Sequence, residues 1–102
     1  MRIIKATRLR EYAKQHSRAS SSLNHWRTVV HRADWKSFDD VRKTFSSADQ
    51  MTLPGGRRIV VFDIGGGAFR LITAIHFNRG IVYIRRFLTH AQYSKEDWKN
   101  DP

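Results

Sequence analysis

The chain is predicted to be an α+β domain, with an N-terminal strand and helices packed on one face of a mostly antiparallel sheet. Three observations predict this. Apolar residues recur at helical spacing between residues 7 and 33. From residue 58 to 88 the pattern changes to β-branched runs broken by glycine turns. No repeat or shift of composition divides the 102 residues, a length that suits one domain, over 1–102, burying roughly 60–70% of its unfolded surface.

Residues 2–5 include two isoleucines and form a short strand candidate. Thr7 is placed to cap a first helix, on which Leu9, Tyr12, Ala13 and His16 share a face. Ser20, Ser21 and Ser22 break the pattern and offer the next cap. Leu23, Trp26, Val30 and Ala33 make a second stripe. Ser37 followed by Asp40 resembles a capping box opening a short helix, with Phe38, Val41 and Phe45 turned inward. Residues 46–57 read as a polar loop punctuated by Pro54, Gly55 and Gly56.

The chain is organised around residues 58–93, which hold most of its strongly apolar sequence. Three strands are expected there, 58–64, 69–77 and 81–88. Gly65-Gly66-Gly67 joins the first pair, and a three-residue loop ending at Gly80, in the positive-φ position, joins the second. Alternation puts Phe69, Leu71, Thr73, Ile75 and Phe77 on the core face. Arg70, Ile72, Ala74 and His76 go to the opposite, open face, where the head of Arg70 should stand free of the main core. Which of Arg85 and Arg86 joins Arg70 depends on the cross-strand register. Residues 89–93 leave the sheet, Ser94 to Asp97 make a last helical turn, and a frayed end follows.

Composition narrows the function. Lys and Arg number 19 against 9 Asp and Glu, a formal charge of +10 and a pI near 10.9. Such a chain attracts polyanions, above all nucleic acid, or an acidic partner, because unneutralised charge repels itself. Residues 1–32 alone hold eight Lys or Arg and one Glu; a solvated face and a phosphate groove both fit. Cysteine is absent, which excludes disulfides, thiol catalysis and thiolate metal sites. No apolar run approaches the ~20 residues of a membrane span. A cytoplasmic protein with no membrane partner is expected.

Most familiar motifs fail. The triple glycine joins strand to strand and lacks the ending of a phosphate-binding loop. The five histidines form no metal-binding pair, so neither a metal nor a cofactor is expected. His16, His25 and His31 read as surface or core-edge residues. Arg70, Arg85, Arg86, His76, His90 and Tyr93 remain, on or just past one sheet. These residue types suit metal-free phosphodiester chemistry on RNA, whose 2′-hydroxyl is an internal nucleophile. Arginine neutralises the phosphate, histidine moves protons and tyrosine stacks on a base or donates a proton. The same residues also suit an RNA- or ribosome-binding module without cleavage, or a protein-interaction module.

Four pieces carry a resemblance to a known family: Ala33-Asp34-Trp35-Lys36-Ser37, Phe69-Arg70-Leu71, Val82-Tyr83-Ile84-Arg85 and Thr89-His90-Ala91-Gln92-Tyr93. Together they resemble the HigB-type toxins of bacterial toxin–antitoxin pairs, within the RelE superfamily of mRNA interferases. The resemblance implies a RelE-like fold and an endoribonuclease that cuts mRNA in the ribosomal A site, silenced by a cognate HigA-like antitoxin with a helix-turn-helix domain. It implies Arg70 as the residue that stabilises the transition-state phosphate. His90 would be an acid or phosphate ligand, Tyr93 would stack on or orient the substrate, and Arg85 would bind phosphate or position His90. His76, Arg86, Arg58 and Lys95 are expected to bind RNA around them. The chain departs from the pattern at Gly65 and near Ala74, where many relatives are basic, and at Ser94, where an acidic residue is common; His76, on the face of Ala74, is placed to compensate.

Overall fold

The computed structural model describes residues 1–100. The α+β architecture follows from how the apolar stripes are buried. The first segment is β1 (Arg2–Ile4), then α1 (Thr7–Gln15), a 3₁₀ turn at Ser17–Ala19, α2 (Ser20–Arg32) and α3 (Phe38–Thr44). Four strands follow: β2 (Asp49–Thr52), β3 (Arg58–Ile64), β4 (Phe69–His76) and β5 (Ile81–Thr89). The chain closes with α4 (His90–Ser94) and a 3₁₀ turn at Asp97–Asn100. The frayed end expected past Asp97 falls at residues 101–102, outside the described ones.

The five strands form one sheet in the order β1-β5-β4-β3-β2. Only the β1–β5 pair is parallel. The helix stripes are buried as their spacing predicts. Leu9, Leu23, Trp26, Val30, Trp35 and Val41 pack with Val60, Phe62, Leu71, Val82 and Ile84 of the sheet. Aromatic rings fill the centre: Trp26 meets Phe62 edge-on at 5.3 Å, and Phe45 meets it at 5.4 Å. His16 leans over Phe69 and Phe87, so it is a packing residue at the core edge. The opposite sheet face carries a second, smaller core of Leu53, Ile59, Val61, Ile72, Leu88 and Trp98.

Several local expectations are corrected. Thr7 lies inside α1, whose cap position is Ala6 with no side-chain cap bond. Ser37 is the cap residue of α3, but the box is incomplete: Asp40 Oδ2 accepts from the Lys36 amide at 2.8 Å. Residues 49–52, read as loop, pair antiparallel with β3 as an edge strand. β4 stops at His76, and Phe77–Arg79 form a 3₁₀ turn capped by Gly80 at φ +66°. The register shift falls inside the β4–β5 pair, between Ile72 and Thr73, rather than at Gly80. Ile72 pairs with Arg86 and Thr73 with Ile84, which leaves Arg85 as the bulged residue. Arg86 is therefore the register partner on the face of Arg70 and Ile72. Bulging also leaves the edge carbonyls of Ile84 and Arg85 for Arg8, whose Nη1 donates to both at 3.3 Å.

Candidate phosphodiester site at one end of the sheet

The Gly65–Gly67 turn makes β3 and β4 antiparallel and sets Asp63 directly opposite Arg70. The two side chains form an ion pair, Arg70 Nε to Asp63 Oδ1, at 3.1 Å. Arg70 Nη1 donates to the Gly67 carbonyl at 2.6 Å and to the Phe69 carbonyl at 3.2 Å. Gly67 holds φ +95°, a conformation that few L side chains adopt, and so turns its carbonyl to the guanidinium. The Arg70 side chain is only 16% exposed. Its head is thus held on several sides, where the alternation pattern left it free.

Residues past β5 complete the cluster. Thr89 Oγ1 accepts from the Gln92 amide, and Gln92 Oε1 accepts from the Thr89 amide, a full capping box at the start of α4. The box sets His90 and Tyr93 above Arg70. Arg70 Nη2 lies 3.3 Å from His90 Nδ1. Arginine can only donate, so His90 Nδ1 accepts and the imidazole proton sits on Nε2. The guanidinium carbon lies 5.5 Å from the centre of the Tyr93 ring, which also stacks on Trp98 at 5.1 Å. The Trp98 indole N–H donates to the Tyr93 carbonyl at 3.0 Å. Burial, then the Asp49 charge, pushes the Tyr93 phenol above its ordinary value, so it is protonated at neutral pH. Arg70, Tyr93 and Asp63 line a shallow hollow of about 360 Å³ with Arg42, Ser46 and Asp49.

The other expected residues lie elsewhere. Arg85, Arg58 and His76 line a second hollow toward the β4–β5 turn, with Lys36, Arg57 and Tyr83. Arg85 precedes His90 by five residues, about 15 Å along an extended strand, so it does not position that ring directly. Arg86 lies close enough to the Tyr12 hydroxyl for its charge to act on it. Lys95 is exposed at the C-terminal end of α4. Gly65 sits at φ +64°, and a Cβ there would meet the Phe69 ring at 3.3 Å, so this turn disfavours any side chain, the basic one implied by the resemblance included. Asp63 and Trp98 were missed from sequence. Asp63 was readable as the one acid in an apolar strand, opposite Arg70 across a glycine turn. Trp98 gave no local signal, because its partner ring is set by tertiary packing.

Residues 19–96 match the profile of the HigB toxin family, described as the RelE-like toxic component of a toxin–antitoxin system. A curated relative, the mRNA interferase HigB of Escherichia coli O6:H1 (strain CFT073), is 24% identical over 95 residues, covering 93% of this chain and 90% of the relative.

Proposed function

Because the chain belongs to the HigB family of RelE-like toxins, toxic components of toxin–antitoxin systems, we propose that it is a metal-free endoribonuclease acting on mRNA at the ribosome, in the cytoplasm. A HigA-like antitoxin silences it. The printed name of its relative, an mRNA interferase, supports the substrate class. The observation that carries the reading is the Arg70 guanidinium, fixed by Asp63 and by two carbonyls while its Nη2 meets His90.

Preorganised donors stabilise developing charge without reorganising during the reaction. Arg70 uses Nε and Nη1 internally, which leaves an Nη2 hydrogen for a phosphate oxygen. His90 offers its Nε2–H beside it. With Nδ1 accepting from Arg70, the ring presents its Nε2–H as a phosphate ligand. In the reaction the RNA 2′-oxygen bonds to phosphorus as its proton passes to a water molecule, and the bond from phosphorus to the 5′-oxygen breaks. The departing oxygen needs a proton. Tyr93, protonated and against Arg70, is the donor we assign.

The test is primer extension on a translated message after induction, beside the purified protein on free RNA and on ribosome-bound mRNA. Discrete cuts with native protein, lost in Arg70→Ala at equal expression, support the reading. Binding without cuts would make the protein an RNA- or ribosome-binding module.

A further inference from the structure

The second hollow has a volume of about 840 Å³ and lies at the other end of β4 from Arg70, where His76 and Tyr83, on Arg70's face, meet Ile75 and Phe77 from the helix side. Four cations line it: Lys36, Arg57, Arg58 and Arg85. No carboxylate lines it; the nearest acid partner is Asp34, in an exposed 3.1 Å pair with Lys36 that water readily exchanges. His76 and Tyr83 stand in it edge to face, ring centres 5.2 Å apart. Arg85 Nε is buried and has no hydrogen-bond partner. An orphaned buried donor among like charges costs stability. Burial, then the charges of Arg57 and Arg8, pushes the Arg85 guanidinium below its ordinary value. The catalytic cluster proposed above uses none of these groups.

We infer that this hollow is an anion site that holds a backbone phosphate of single-stranded RNA several nucleotides from the bond that is cut. Arg70 and His76 are six residues apart on one face of β4, about 20 Å, so one extended strand can reach both ends of the sheet. Cations beside accessible rings are the combination that grips single strands, since phosphate meets charge and a base meets a π-face. An acidic peptide would satisfy the charges but not the rings. The crowded cationic groups of Lys36, Arg57, Arg58 and Arg85 then find their partner in the phosphate. The site sets affinity, and the Arg70 cluster sets the rate. The inference rests on the reading of RNA as substrate.

The experiment measures binding of a short, uncleavable 2′-O-methyl single-stranded RNA by fluorescence anisotropy across a salt series, with a polyglutamate peptide as competitor. Lys36→Ala, Arg57→Ala and Arg58→Ala should each weaken binding and lower the log–log salt slope by about 0.7. Their melting temperatures should hold or rise. Arg85→Met should weaken binding while raising the melting temperature, as expected of a residue kept for binding at the expense of stability. RNA affinity and salt slope unchanged in the triple variant would overturn the inference. So would polyglutamate binding that depends on these residues while RNA binding does not, which would make the hollow a protein-docking face. Hollow-dependent binding by a protein that never cleaves would leave this site standing and sink the catalytic reading alone.

Discussion

Arg70 is held too firmly to serve only as a surface charge. Arg70→Ala should cut cleavage by about 10²–10³-fold, the scale for losing one preorganised donor at a developing oxyanion. Stability should change by less than about 1 kcal/mol, because Asp63 is 35% exposed and regains water. Paired activity and melting measurements decide this; a parallel fall in both would make Arg70 structural. Lysine should rescue only partly, since an ammonium cannot bond Asp63, the turn carbonyls and His90 in one plane. A second residue-scale outcome concerns pH. Tyr12 and Tyr93 both sit above their ordinary phenol value, chiefly through burial. The unfolded chain therefore loses these protons first, starting near pH ~10. Their stabilising contribution is complete below that pH and is lost as pH rises toward the folded values. Alkaline melting curves of Tyr12→Phe and Tyr93→Phe should each lose part of the wild-type decline.

At the scale of elements, α4 is five residues long and cannot hold itself together. It stays in place through the Thr89–Gln92 box and through Trp98, which stacks on Tyr93. Thr89→Ala should cost about 1 kcal/mol. Its effect on cleavage should exceed that cost, because His90 and Tyr93 both hang from this turn. Urea unfolding beside single-turnover cleavage separates the two, and equal losses would show that the cap matters only for folding. On the helix face, Phe62 is the ring that Trp26, Trp35 and Phe45 all touch. Phe62→Ala should cost about 3–5 kcal/mol, a large share of the roughly 5–15 kcal/mol that holds a domain folded.

Over the whole molecule, the charge of +10 is distributed unevenly. The sheet face that carries the second core has a mixed-charge end, with Asp63 and Asp49 beside Arg70, while at the far end of β4 the Lys and Arg side chains lining the hollow meet no carboxylate in its lining. Among the described residues no large hydrophobic side chain is exposed. A partner that silences this protein therefore meets half-buried and charged surface. Association with an acidic partner should slow steeply as salt rises, through loss of electrostatic steering; stopped-flow mixing at two ionic strengths reads this directly. No helix among the described residues is long and apolar enough to cross a membrane.

The fold class and the helix faces were legible from residue order, because the spacing of apolar residues reports directly which side of an element is buried. The Gly80 turn and the sheet face of Arg70 were legible for the same kind of local reason. The family resemblance rests on short motifs and was equally available. Three things were decided only by the packed chain. β2 is polar at its edge position, so its strand character comes from pairing with β3 and leaves no apolar alternation to read. The bulge at Arg85 shifts one register, and a shift of one residue moves a side chain by a whole face. Arg85 keeps the face of Tyr83, toward the cationic hollow, and the shift brings Arg86 to the place paired with Ile72. Lastly, Asp63, Arg70, His90, Tyr93 and Trp98 come from β3, β4, α4 and the last 3₁₀ turn. The residue types were legible one by one, but the distances at which they meet depend on where the Gly65–Gly67 turn and the Thr89 cap point the chain, which is a matter of three-dimensional closure.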